Sequence, residues 1–308
     1  VSSSAGRSRA KFPIDWGSLA PLRIRARIVA DGVFAGMHRS VRKGAGVEFG
    51  GQRPYVPGDD LRFFDRRALL RHDRLMVREF ETETDRAVWL CVDASASMAW
   101  RGPKAPGAKL AYAALLAAAT ARVAVASGDP VGLAWLGGDA TRDLPAVAGR
   151  EGYDRVLGAL ESAAGALDLS GNDAAVERAL APVARKARRG AVIVLFSDLL
   201  DLPPRTLSAF SALATGGRVL VVVQVLDPAE ATLDFQGHVR LRAVEGDAVV
   251  EADIEAVRAE YKKRLADIAT TWDREITGRG GRFLQATTDA DATEIVRAIV
   301  TASATGPR

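Results

Sequence analysis

The sequence predicts an α/β chain: a doubly wound, mostly parallel sheet with helices on both faces, preceded by a small, β-rich and irregular N-terminal subdomain. Three observations predict it. Short, strongly apolar runs at 88–92, 191–196 and 218–226 read as strands buried on both faces, as in parallel sheets. Segments of helical apolar spacing alternate with them, which is the pattern of crossover connections. Two of the runs also stop abruptly at acids, Asp93 and Asp198, and open parallel sheets bind ligands just beyond the carboxyl ends of their strands.

Taken in order, residues 1–20 read as a flexible leader, and residues 22–35 have the spacing of a helix. From 44 to 58 the texture changes to glycine, proline and aromatics, with a strong turn signal at Gly58-Asp59. Residues 61–76 read as a short Arg-rich helix and connection, and 77–84 alternate like a half-exposed strand, closing a subdomain of 21–85. The main domain spans 86–304. Its helices are predicted at 106–126, 152–163, 174–187, 204–214, 253–276 and 291–301. A strand at 130–136 turns at Gly137-Gly138 towards a short partner near 141–144, and a last strand covers 282–286. Residues 227–251 interrupt the alternation with weaker strands around Gly246-Asp247, a β insertion.

Composition excludes several classes. One cysteine, Cys91, lies inside an apolar run, so there is no disulfide framework and a reducing compartment is expected. The net charge of +4 comes from basic residues interspersed with acids, the pattern of solvated faces rather than of a nucleic-acid surface. Residues 1–10 are Ser- and Arg-rich without the apolar core of a signal peptide, and opening on Val1 rather than Met points to an alternative or trimmed start. The most apolar stretch, 110–126, is mostly alanine and carries Arg122, so it reads as a buried helix rather than a span. A cytoplasmic protein is expected.

The chemistry concentrates at Asp93, Ser95 and Ser97. An acid and two hydroxyls at alternating positions offer hard oxygen ligands to one ion, which suit Mg²⁺, with Mn²⁺ or Ca²⁺ as alternatives. This D-x-S-x-S resembles the metal-ion-dependent adhesion site of von Willebrand factor A domains. The resemblance implies a second aspartate after a later buried strand, matched by Asp198, and a threonine from a loop between them. Asn172 stands in the threonine's place, with Ser170 as an alternative. Mg²⁺ held by two carboxylates and neutral oxygens keeps exchangeable waters, so a partner's Asp or Glu side chain could complete its shell. Such a site binds protein.

Upstream, Gly46-Val47-Glu48-Phe49, Arg53-Pro54-Tyr55, Pro57-Gly58-Asp59-Asp60-Leu61-Arg62, Phe64-Asp65 and Leu75 through Asp85 resemble the signature of the "domain of unknown function 58" family. So do Asp227-Pro228 with Glu230, and Tyr261; Arg66 departs from the family's tryptophan. The resemblance implies a von Willebrand A-like fold and a MoxR-type AAA+ ATPase partner, with the chain as a non-enzymatic adaptor. It is to the soluble branch of the family. Residues 44–85, with Arg53, Asp59, Asp60, Arg62, Asp65 and Arg71, form either an internally salt-bridged unit or a docking surface for that ATPase.

The enzyme alternative is a phosphotransferase of haloacid-dehalogenase type, with Asp93 as nucleophile, Lys109 as phosphate clamp and Asp198 as metal ligand. Ser95 stands where that chemistry wants a second aspartate as general acid and base. No phosphate-binding G-x-x-x-x-G-K-[S/T] loop or G-x-S-x-G elbow is present, and His38, His72 and His238 lack metal-ligand spacing.

Overall fold

A computed structural model describes residues 11–41, 52–54, 76–78, 86–137, 143–166, 172–200, 202–242 and 249–304. Contacts divide the chain into two units, one of residues 1–34 with 85–308 and one of 35–84. In the smaller unit a short antiparallel pair joins Gln52–Pro54 to Met76–Arg78, with Arg53 opposite Val77. Of the helix and connection expected over 61–76, all but Met76 lies outside the described residues, as do the turn-rich stretches at 44–51 and 55–58 and residues 79–85.

In chain order the strands are β1 (Lys11–Pro13), β2 (Gln52–Pro54), β3 (Met76–Arg78), β4 (Val88–Asp93), β5 (Val131–Leu136), β6 (Leu144–Val147), β7 (Ala164–Ala166), β8 (Val192–Ser197), β9 (Val219–Leu226), β10 (His238–Arg242), β11 (Val249–Asp253) and β12 (Arg282–Thr287). The helices are α1 (Leu22–Val41), α2 (Lys109–Ala126), α3 (Gly149–Glu161), α4 (Asp173–Lys186), α5 (Thr206–Leu213), α6 (Pro228–Thr232), α7 (Ile254–Thr277) and α8 (Ala292–Ala304).

The main sheet has six strands in the order β12-β9-β8-β4-β5-β6, parallel except for the antiparallel edge strand β6. The expected α/β class with a mostly parallel sheet is therefore observed. Alternation along the strands explains both layers, because successive side chains of a strand point to opposite faces. Val88, Leu90, Val92, Val192, Val194, Val221 and Val223 join α1, α2, α3 and α8 in one core. Their neighbours Trp89, Cys91, Ile193, Leu195, Leu220 and Val222 join α4, α5 and α7 in the other. A run apolar at nearly every position thus serves two cores at once, with Gln224 the buried polar residue inside β9.

Helix α2 crosses the first core almost wholly buried. Among the described residues it is the one helix long and apolar enough to cross a membrane, but 83% of that stretch is buried inside the protein. Its alanines have no side chain beyond Cβ, so α2 can lie close against the sheet and α3 without voids. The Thr120 hydroxyl donates back to the Leu116 carbonyl at 2.8 Å, which hides its polarity inside the helix.

Two boundaries differ from expectation. Residues 11–20 are not a leader: β1 pairs antiparallel with β7, Phe12 opposite Gly165, and Leu19 is buried in the first core. The start of α1 also belongs to the larger unit, because Leu22, Ala26, Val29, Ala30 and Val33 face that core. The 227–251 insertion is made of the short helix α6 and the antiparallel hairpin β10–β11, with Arg240 opposite Glu251.

Candidate functional site

The site lies where β4 and β8, neighbours at the centre of the sheet, both run out. Asp93 is wholly buried and ends β4. Its Oδ1 accepts the Ser95 backbone N–H at 2.8 Å, and its Oδ2 accepts the Ser197 hydroxyl at 2.5 Å. The same Ser197 oxygen accepts the N–H of Leu199 at 3.0 Å, so this one side chain ties the two strand ends together. Ser95 and Ser97 face one another, Oγ to Oγ at 3.1 Å, before the chain turns through Ser97–Ala99. Leu199, buried beside them, holds φ at +62°, a left-handed conformation that a branched side chain seldom adopts. Such local strain collects at functional sites.

Asp198 is equally buried but differently partnered. Its Oδ2 accepts Lys109 Nζ at 2.8 Å and its Oδ1 accepts the Leu200 N–H at 3.0 Å. Lys109, the first residue of α2 and itself wholly buried, also donates to Glu230 Oε1 at 2.6 Å and lies 5.9 Å from the Trp100 ring centroid. Burial opposes its charge, yet Asp198 and Glu230 outweigh burial and hold the ammonium protonated. Glu230 moves upward through burial, against the pull of Lys109. The Tyr261 hydroxyl is pushed up to about 12 by burial and the nearby Glu230 charge. Gln224 supports the strand end from β9, donating to the Asp198 carbonyl at 3.2 Å.

Asp93 has no such cation. Among the described residues no lysine, arginine or histidine pairs with it. Burial, then the Asp198 charge, push its carboxyl up to about 7, while the Ser197 and Ser95 hydrogen bonds pull it back. The donors around it are carboxylate and hydroxyl oxygens, the set that fits a hard divalent cation. Asp198 can share in this while bonded to Lys109, because an ionised carboxylate has about four lone-pair sites. Among the described residues there is no group of three His, Cys, Asp or Glu side chains of metal-binding arrangement. The candidate site depends on hydroxyls instead.

The loop between this site and α2 is held from two sides. From the N-terminal segment, the Asp15 carbonyl accepts Ala108 N–H at 2.8 Å, Ser18 N–H donates to the Pro106 carbonyl at 2.8 Å, and the Asp15 carboxylate pairs with Arg101 at 3.0 Å. From the insertion, the Asp227 carboxylate accepts Gly102 N–H at 2.7 Å. A Cβ at Gly102 would lie 2.3 Å from that carboxylate, so the contact needs glycine there. Asp227 and Glu230 form a capping box with Pro228 in the first turn of α6.

Of the expected site residues, Asp93, Ser95, Ser97 and Asp198 all fall within this one arrangement. Asn172 is exposed and caps α4, its Oδ1 accepting Ala175 N–H at 3.1 Å. Ser170 lies outside the described residues. Lys109, expected in the enzyme alternative as a phosphate clamp, is bonded instead to two carboxylates. Ser197 was not anticipated; a serine just before the acid gave no signal separate from the strand's end. Glu230 was readable as the last member of a D-x-x-E capping pattern, but nothing in that pattern points to Lys109.

Fold and site define a class: an α/β protein whose central parallel strands end in buried acids and hydroxyls. The chain belongs to the family described as protein of unknown function DUF58, which matches residues 51–271. An uncharacterized protein of Mycobacterium tuberculosis is 31% identical over 282 residues, covering 91% of this chain and 87% of that protein. Among solved structures, a conserved hypothetical protein BatB from Bacteroides thetaiotaomicron is 18% identical, with a TM-score of 0.45, over 71% of this chain and 98% of that one. An aerotolerance-related membrane protein from Bacteroides fragilis is 19% identical, with a TM-score of 0.41, over 71% of this chain and 98% of that one. The expected cytoplasmic location is not borne out: structural neighbours are described as membrane proteins.

Proposed function

We propose that the chain is a non-enzymatic protein-binding module of von Willebrand A type, working through a divalent cation at Asp93, Ser95, Ser97 and Asp198. Mg²⁺ is the favoured ion, with Mn²⁺ or Ca²⁺ as alternatives. One observation carries the reading: Asp93, wholly buried at the carboxyl edge of a central strand, has hydrogen bonds but no cationic partner among the described residues. A buried carboxylate normally has a cation beside it or shifts its pKa to become neutral. Here the Lys109 ammonium is bonded to two other carboxylates, Asp198 and Glu230.

A bound divalent ion would supply an electrophilic centre with open positions for a partner's carboxylate. The chain's residues do the rest. Ser197 and the Ser95 N–H orient Asp93. Lys109 holds the Asp198 carboxylate in place at 2.8 Å. Two tethers hold the adjoining loop. The expected partner is a protein presenting an acidic side chain, a MoxR-type AAA+ ATPase being the candidate implied by family resemblance.

The test is calorimetry with Mg²⁺ on the protein and on Asp93→Asn, followed by binding to a purified MoxR-type ATPase with Mg²⁺ or a chelator. Binding that the substitution abolishes, with cation-dependent association, supports the reading. Release of phosphate from an aryl phosphate by the protein, absent in Asp93→Asn, would replace it with the phosphotransferase.

A further inference from the structure

We propose that Glu230 sets how tightly a divalent cation is held at Asp93 and Asp198, without touching the ion, by sharing the Lys109 ammonium with Asp198. The inference rests on the cation reading above and adds to it a residue outside the ligand set.

The geometry is that of a divided counter-ion. Lys109 Nζ is 2.6 Å from Glu230 Oε1 and 2.8 Å from Asp198 Oδ2. The lysine opens a core helix, is buried along its length and sits against Trp100. Glu230 is positioned as well: its other oxygen accepts the Asp227 N–H at 3.2 Å, and Asp227 grips Gly102 N–H at 2.7 Å. Glu230 is therefore held at the root of the 227–251 insertion and against the loop that follows Ser95 and Ser97.

Two electrostatic effects of Glu230 act in the same direction. Its negative charge near the site attracts a cation directly. By neutralising part of the Lys109 charge, it also leaves more of the Asp198 charge for the ion. Removing the charge withdraws both contributions together. Glutamine at this position keeps the shape but has one acceptor oxygen for two donors, Lys109 Nζ and the Asp227 N–H, so it loses one of these hydrogen bonds along with the charge. Comparing two ions of different charge separates the two losses. Because Glu230 opens the insertion, a partner that moved this turn would change cation affinity, and the cation would change that partner's affinity by the same factor.

The experiment is calorimetry of the whole protein, Glu230→Gln and Glu230→Asp with Mg²⁺ and with Tb³⁺, each variant first shown to melt cooperatively. For a charge effect, Glu230→Gln lowers Mg²⁺ affinity by about tenfold and Tb³⁺ affinity by about thirtyfold, because the loss in log affinity scales with the ion's charge. Glu230→Asp, which keeps the charge, stays within a few-fold of the parent. Equal affinities for the parent and Glu230→Gln overturn the inference. So does an equal loss for both ions, or an Asp variant as weak as the Gln variant, since these are marks of a structural role. If the parent binds neither ion, the cation reading itself falls and takes this inference with it.

Discussion

Asp93 and Asp198 end adjacent strands of one sheet, and both are wholly buried, yet the protein handles their charges in opposite ways. Asp198 has a buried ammonium, 2.8 Å away and shared with a second carboxylate. Asp93 has a hydroxyl and an amide N–H. The first is a completed ion pair built into the core, while the second is a charge whose neutralisation is left open. Burial alone therefore does not single out a candidate functional carboxylate. Burial without a cation, beside a group of like charge, makes Asp93 the candidate.

The largest effect should follow from making the two alike. Lys109→Met removes the ammonium and leaves Asp198 and Glu230 buried without their counter-ion. Breaking such a pair from one side costs about 3–5 kcal/mol, because the remaining charge is uncompensated. Urea denaturation should show a loss of this order, or no cooperative folding. A variant as stable as the parent would mean that Asp198 is solvated in a way its burial does not indicate.

A second, smaller effect has the opposite sign. The Asp93 carboxyl is held at about 7, above the value of about 3.9 of an unfolded aspartate. The native state then binds more protons than the unfolded state between these values. Stability of the cation-free protein should accordingly be greatest on the acid side and fall as pH rises towards and through 7. Glu230, also shifted upward, contributes with the same sign. Asp93→Asn should flatten this slope and raise the melting temperature near pH 7.5 in chelator, while saturating Mg²⁺ flattens it in the parent. Melting curves in chelator across pH 5 to 8, a range that starts above the unfolded pKa and passes through the folded one, provide the check. Parallel slopes for parent and variant would exclude Asp93 as the group responsible.

How far the sequence discloses this comparison depends on the range of the forces involved. The strands ending at Asp93 and Asp198 are legible because burial on both faces forces an apolar residue at every position. The first polar residue therefore marks the edge of the sheet. Helices α2, α4 and α7 are legible from their spacing to within a few residues. The Lys109 bridge is not legible, since it joins residues from α2, α6 and the position just after β8 that share no local pattern. The clasp of Asp15 and Ser18 on the 101–108 loop is hidden for the same reason. Strand β1 has only three residues, too few for an alternating pattern, and its partner β7 is supplied by distant chain. A Ser- and Arg-rich opening therefore reads as a leader although its end is pinned. The cationic partner of a buried acid is a tertiary fact; the acid's position at the strand end is a local one.

The smallest effect concerns the third loop, where Asn172 stands in the place that a threonine ligand occupies in the adhesion-site pattern. Its amide oxygen accepts Ala175 N–H at 3.1 Å and satisfies one of the unpaired donors that open α4. Its neighbour Asp173 adds a negative charge to the same helix end and accepts the Arg205 N–H at 2.9 Å. Replacing an Asn cap by alanine costs about 1 kcal/mol. Asn172→Ala should therefore lower the melting temperature by a few degrees while Mg²⁺ affinity stays at the parent value. Asn172→Thr tests the same position from the other side, since threonine is also a competent cap and brings the hydroxyl of the adhesion-site pattern. If Asn172→Ala weakened Mg²⁺ binding as much as Asp93→Asn, the amide oxygen would be a ligand as well as a cap. The contrast between an open and a closed carboxylate would then extend to a third residue.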